Sequence, residues 1–310
     1  MNNNFYTLIV GIIVLLIISS LIGQTLKYTI KKPTAIPVIE NLNTRINAWW
    51  MMVFFLSAAY MLGNTVSIIL FAFISFFSLR EFITLMNTPN SDYNALSISF
   101  FILLPIQYLL LLMGWYGLFA IFIPVYAFLL LPSISVLSQD VKCFLTRTSS
   151  IQWAIMISIY CISYAPALLL LDIPGYTQNG LLLFYLLLVV QISDVLQYVF
   201  GKLLGKRKIA PIVSPSKTVE GFVFGGIAAT LVGGCMYWIT PFTFIQSLGM
   251  SFVIVIMGFL GGLTLSAVKR SLGAKDWGTM VKGHGGMLDR MDSVCFAAPI
   301  FFHMVRYFFA

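Results

Sequence analysis

The 310 residues predict an all-α fold, a polytopic bundle of about eight to ten transmembrane helices. Three observations lead there. Hydrophobic residues make up 60% of the chain and charged ones 9%, and mean hydropathy is +0.96, which excludes a water-soluble globule. Apolar runs recur along the whole length, and about 20 such residues cross a bilayer as a helix. Lys and Arg collect between alternate runs, as cytoplasmic loops require. The alternating period of a β-barrel is absent, and backbone in lipid must satisfy its own hydrogen bonds, so helices are the expected element.

In order, candidate spans lie near 5–26, 48–62, 65–79, 95–112, 115–132, 151–171, 180–200, 221–239, 245–265 and 292–309. The second and third fall short of the roughly 20 residues a full crossing needs, which sets the range of the count. The first run, MNNNFYTLIVGIIVLLIISSLIG, has no basic residues before it; Lys27, Lys31 and Lys32 follow it instead. It therefore reads as a retained span that starts outside, not as a signal peptide. With the 27–47 loop in the cytoplasm, alternation brings Arg80 and the 133–150, 201–220 and 266–291 loops to the same side. Of the 18 Lys and Arg, 17 then lie inside and Arg306 is the exception. The net charge of +8 is thus a topology signal and does not imply a nucleic-acid partner. The expected location is the cell (inner) membrane, with the polar clusters on its cytoplasmic side.

The four cysteines, Cys143, Cys161, Cys235 and Cys295, are far apart and read as small apolar residues, not as a disulfide framework or a zinc site. Residues 1–180 read as N-terminal transmembrane helices and 181–310 as a C-terminal transmembrane region with cytoplasmic-facing motifs, because nearly all polar information follows residue 190.

That information forms three clusters. In QISDVLQYVFGKLLGKRK (191–208), Gln191, Asp194 and Gln197 share one helix face. An Asp inside a span costs about 2.5–3.5 kcal/mol on insertion scales, which makes Asp194 a functional candidate; an interhelical hydrogen bond is the plainer alternative. The lysines and arginine that follow suit the headgroup level, though ordinary topology-setting charge explains them too. In SPSKTVEG (214–221), Ser214 and Pro215 predict a helix start, whose free N–H groups suit a phosphate. Lys217 would add a charge there, and Glu220 stands where the next span begins. A cap alone explains Ser214 but not Lys217 and Glu220.

The third cluster, SAVKRSLGAKDWGTMVKGHGGMLDRMDSV (266–294), is the densest. Lys269 and Arg270 close a span; Lys275, Asp276, His284, Gly285 and Gly286 follow. Asp289 and Asp292, three apart, point the same way from the start of the last helix. Carboxylates beside Lys and Arg suit a Mg²⁺–polyphosphate site, and Arg290 can grip a phosphate bidentately. A solvated loop whose acids complement a helix dipole is the structural alternative. His284, flanked by glycines, favours a ligand contact; His303 reads as a packing residue.

With these residues in view, the third cluster resembles the signature of the phosphatidate cytidylyltransferases (CDP-diglyceride synthases), S-x-x-K-R-x-x-x-x-K-D followed by H-G-G-x-x-D-R-x-D. Ser266, Lys269, Arg270, Lys275, Asp276, His284, Gly285, Gly286, Asp289, Arg290 and Asp292 all match. The second cluster is similar to that family's S-P-x-K-T-x-E-G and the first to its D-x-x-x-Y-x-x-G-[KR]. The resemblance implies transfer of CMP from CTP to phosphatidic acid, yielding CDP-diacylglycerol and pyrophosphate in phospholipid biosynthesis. It implies Mg²⁺ as cofactor, with K⁺ able to share the site, and a homodimer in the bilayer. Asp276 and Asp289 are implied as leading metal ligands, with Asp292 and Asp194 next. Lys269, Arg270, Lys217 and Arg290 are implied to bind phosphate, with Asp194, Ser214, Glu220, Lys275, His284, Gly285 and Gly286 lining the substrate site.

One departure bears on activity. Gly262 stands where the family carries an aspartate, and Leu265 replaces a frequent acid. The alternatives are therefore a weakened or inactive relative acting as a lipid-binding or partner subunit, and a cytidylyltransferase for another lipid phosphate. A transporter with Asp194 as proton relay is a further class, but paired broken helices in two halves are not visible. Small-xxx-small patterns at Gly201/Gly205, Gly221/Gly225 and Gly258/Gly262 predict close helix contacts, within one chain or between two.

Overall fold

The computed structural model describes residues 3–29, 36–86, 88–278 and 285–310. Their long helical segments are α1 (Asn3–Thr29), α2 (Ile36–Leu62), α3 (Asn64–Leu85), α4 (Asn90–Leu112), α5 (Tyr116–Val136), α6 (Phe144–Leu170), α7 (Asn179–Leu203), α8 (Val219–Ile239), α9 (Phe244–Ser271) and α10 (Leu288–Phe309). Eight helices among the described residues are long and apolar enough to cross a membrane: α1 and α3 to α9. In α2 only Trp49–Leu62 is apolar, and α10 begins with the polar residues of the third cluster. The protein is thus an all-α, multi-pass membrane protein.

Two expectations change. The third span, foreseen as short, is a full 22-residue helix running on through Arg80 and Glu81 to Leu85. Ser214 and Pro215 do not start a helix. They open a strand, β2 (Ser214–Thr218), which pairs antiparallel with β1 (Lys208–Ala210) in a small hairpin between α7 and α8. The helix start is displaced to Thr218, whose hydroxyl accepts from Gly221 N at 3.1 Å. Thr fills the cap as Ser would, four residues beyond the expected start.

Several polar side chains buried among the apolar helices pair with one another or with backbone carbonyls, as a medium without water favours. The Tyr108 hydroxyl lies 2.6 Å from Ser75 Oγ and donates to Phe71 O. Gln107 donates to Ser163 Oγ and Phe119 O. Tyr185 joins Ser247 and Ser251 between α7 and α9. The glycine stripes act inside the chain. A Cβ at Gly221 would stand 2.8 Å from the Gly201 Cα, and one at Gly225 would stand 2.6 Å from the Gln197 Cα, so α7 and α8 touch backbone to backbone. Gly261 brings α9 equally close to the carbonyl of Asp292 on α10.

Away from these helices, Arg147 on α6 pairs with Asp92 at 3.0 Å and with Asp140 at 2.7 Å. The Ser91 hydroxyl and the Lys142 amide hold the Asp140 carboxyl below its usual range. The Asp92 side chain is only 2% exposed, so removal of Arg147 leaves a buried charge without its counter-ion. Arg147→Ala is expected to cost about 3 kcal/mol, read as a lower thermal midpoint in detergent. An unchanged midpoint would show the pair to be dispensable.

Candidate active site

The ends of α7 and α9, the start of α10 and the hairpin converge at one end of the bundle. Two adjoining polar clusters result.

The first is built on Asp289, in the opening turn of α10. Its Oδ1 lies 2.6 Å from Lys269 Nζ, in the last turn of α9. Its Oδ2 accepts from the amides of Trp277 and Gly286, both at 2.8 Å. The two side chains of the ion pair are 10% and 11% exposed. Gly285 adopts φ +79°, and a Cβ there would press on the Asp289 carboxylate, so glycine is needed on both counts. Asp289 therefore ties the two arms of the α9–α10 connection together and fixes one ammonium.

The second cluster lies one helical turn along α10. Ser293 Oγ lies 3.1 and 3.3 Å from the two Asp194 oxygens and 3.4 Å from Asp292 Oδ1. Two carboxylates from different helices thus share one hydroxyl. Lys217, from β2, faces them, its Nζ 4.7 Å from the centre of the Phe259 ring. Burial pushes the Lys217 ammonium below its usual range, and the Asp194 and Asp292 carboxylates counter that shift. Gly262 borders the same space: a Cβ there would stand 2.9 Å from Lys217 Nζ and 3.2 Å from Ser293 Oγ. Asp289 and Asp292 stand about one turn apart on α10, so the two clusters adjoin as one polar strip.

The structure thus brings together Asp194, Lys217, Lys269, Asp289 and Asp292, with Gly285 and Gly286 shaping the first cluster. Other expected residues do different work. Glu220 Oε2 accepts from the Lys206 and Arg207 amides at 2.9 and 3.1 Å and holds the turn before β1. Arg270, exposed, donates to the Val213 and Ala274 carbonyls. Ser214 sits in the hairpin. Lys275 and Asp276 are exposed on the connection, and Arg290 is half-buried in the first turn of α10. His284 lies outside the described residues.

Sequence reasoning missed Ser293 and Glu81. Ser293 carries no pattern of its own beyond following Asp292. Glu81, from α3, accepts from the Met287 and Leu288 amides at 2.8 and 2.9 Å. The signal for it was an acid inside an apolar helix, obscured because that helix was drawn too short.

A hard divalent cation fits the second cluster better than the first. Mg²⁺ takes oxygen donors and binds through one or two carboxylates plus phosphate oxygens. Asp194 and Asp292 converge as such a pair, whereas both oxygens of Asp289 are already engaged and Asp276 is exposed. Among the described residues no group of three or more His, Cys, Asp or Glu converges.

A helical membrane protein with paired carboxylates and fixed ammonium groups where its spans end is of the kind suited to transferring a phosphoryl-linked group at a bilayer surface. The chain belongs to the cytidylyltransferase family, which it matches over residues 43–308. It is 36% identical over 296 residues to the uncharacterized protein YnbB of Escherichia coli, covering 94% of this chain and 95% of that one. It is 40% identical over 118 residues to a phosphatidate cytidylyltransferase of Staphylococcus aureus, covering 37% of this chain and 45% of the relative. For the Bacillus subtilis phosphatidate cytidylyltransferase the figures are 39% over 142 residues, 44% and 52%. The chain thus matches about half the length of these two enzymes.

Proposed function

We propose that this protein transfers CMP from CTP to phosphatidic acid at the cytoplasmic face of the inner membrane. A phosphate oxygen of the lipid attacks the α-phosphorus of CTP, the bond from the α-phosphorus to the bridging oxygen breaks, and pyrophosphate leaves. The nucleophile is already ionised, so positioning and charge neutralisation supply the catalysis. The observation that carries the reading is the joined strip of Lys269–Asp289 and Asp194–Asp292–Lys217 at the end of apolar helices. One substrate is water-soluble and the other bilayer-bound, and such a strip meets both.

In this reading Lys269, oriented by Asp289, and Lys217 bind phosphate groups, while Arg290 and Arg270 add charge at the mouth. Asp194 and Asp292 would hold Mg²⁺, which when bound neutralises polyphosphate charge. Lys275, Asp276 and His284 are assigned to the CTP side, with Gly285 and Gly286 allowing close approach of the backbone.

Gly262 favours a second reading, a relative whose activity is weakened. The test is purified protein with phosphatidic acid, labelled CTP and Mg²⁺, beside Gly262→Asp. Wild type is expected to form labelled CDP-diacylglycerol. A carboxylate at position 262 would meet Lys217 Nζ and draw it from Phe259, so Gly262→Asp is expected to stay within about tenfold of wild type and to need less Mg²⁺. Product from the variant alone would identify a degenerate site. No product from either folded protein would sink the phosphatidate reading and favour another lipid phosphate or a non-catalytic role.

A further inference from the structure

Glu81 has no part in the scheme above, yet it reaches the site from more than 200 residues away in sequence. It lies near the end of α3, buried at 9% exposure. Its Oε1 accepts from Met287 N and its Oε2 from Leu288 N, the first free amides of α10. Such donors are ordinarily satisfied by a side chain just ahead of the helix. Here the cap position is Met287, which has no side-chain acceptor to offer, and a distant carboxylate does the work. A negative charge at that helix end is also favoured by the helix dipole.

The contact extends beyond a cap. Phe82, the next residue, stacks on Trp277 with ring centroids 4.8 Å apart and planes at 25°. Trp277 is 1% exposed, and its amide donates to Asp289. A Cβ at Gly278 would stand 2.8 Å from the Glu81 carboxylate, and one at Gly286 would collide with it. Glu81 and Phe82 therefore grip both arms of the α9–α10 connection, the same arms whose amides hold Asp289.

We infer that Glu81 is a positioning residue for transfer: it sets the first turn of α10, and through it the Asp289 carboxylate and the Lys269 ammonium. The inference rests on the cytidylyltransferase reading above. Gln in its place keeps the shape but turns an amide donor toward one of two backbone donors, so one bond becomes a repulsion.

The experiment compares wild type, Glu81→Gln and Glu81→Asp in steady-state CMP transfer and in hydrogen exchange at Met287 and Leu288. For Glu81→Gln, kcat is expected to fall at least about tenfold while KM for CTP stays within about threefold, because geometry is lost and not substrate affinity. Exchange at the two amides should quicken, and Glu81→Asp should recover part of kcat. A kcat within about twofold of wild type would overturn the positioning role, as would unchanged exchange. Should wild type make no product, the catalytic reading fails on its own, and exchange still decides whether Glu81 holds the helix start.

Discussion

Asp289→Asn is expected to lower CMP transfer by at least about 100-fold, the scale of losing one preorganised electrostatic contact in a dehydrated site. The same change should lower stability. The Lys269–Asp289 pair is largely buried, and removal of one partner of such a pair costs about 3–5 kcal/mol because the other charge is left without compensation. The two effects can be separated. In Lys269→Met combined with Asp289→Asn neither charge is left and an amide oxygen remains for the Trp277 and Gly286 N–H groups, so part of the lost stability should return while transfer stays absent. Activity in that double variant would refute a role for the pair in phosphate binding. Wild-type rates in Asp289→Asn would refute the assignment of Asp289. Both are read from labelled CDP-diacylglycerol formed per folded protein, with thermal midpoints measured alongside.

The helical fold and much of the site were legible because lipid imposes a simple grammar. Long apolar runs, basic loops and scarce acids mark spans and their ends, and Asp194, Lys217, Lys269, Asp289 and Asp292 stood out as polar groups in apolar surroundings. What escaped depends on contacts between distant segments. Ser214-Pro215 reads as a helix start, yet these residues pair with β1 in a hairpin, and the helix begins only after Thr218. The expectation that Asp289 and Asp292 point the same way rests on their spacing along one helix. It could not show that Asp289 would be consumed by Lys269 and two amides while Asp292 meets Asp194 across Ser293. Glu81 was hidden for a related reason: a charged pair, Arg80-Glu81, resembles the end of a span, and only packing against Gly278 and Gly286 reveals an acid turned inward.

Gly225→Leu is expected to have the largest effect on folding. The α7–α8 contact has no room for a side chain: a Cβ at position 225 would stand 2.6 Å from both Cα and N of Gln197 and 2.8 Å from Leu196 C. These are backbone atoms of a continuous helix and cannot swing aside as a side-chain tip could. Overpacking ordinarily costs about 1–3 kcal/mol, and separating two helices at a backbone contact should exceed that. Asp194 lies one turn before Gln197, so any tilt that relieves the clash also moves that carboxylate from Ser293 and Asp292. Loss of folded protein is therefore expected, and a surviving fraction should show weakened Mg²⁺-dependent transfer. Gly249→Ala on α9 is the control, because among the described residues nothing lies within 4 Å of a Cβ there, and it should raise the thermal midpoint slightly through helix propensity alone. Equal yields of Gly225→Leu and Gly249→Ala would mean that the helices do not meet at Gly225. With the control behaving as expected, failure confined to Gly225→Leu would tie the glycine stripe to the contact within one chain that carries Asp194 to Asp292.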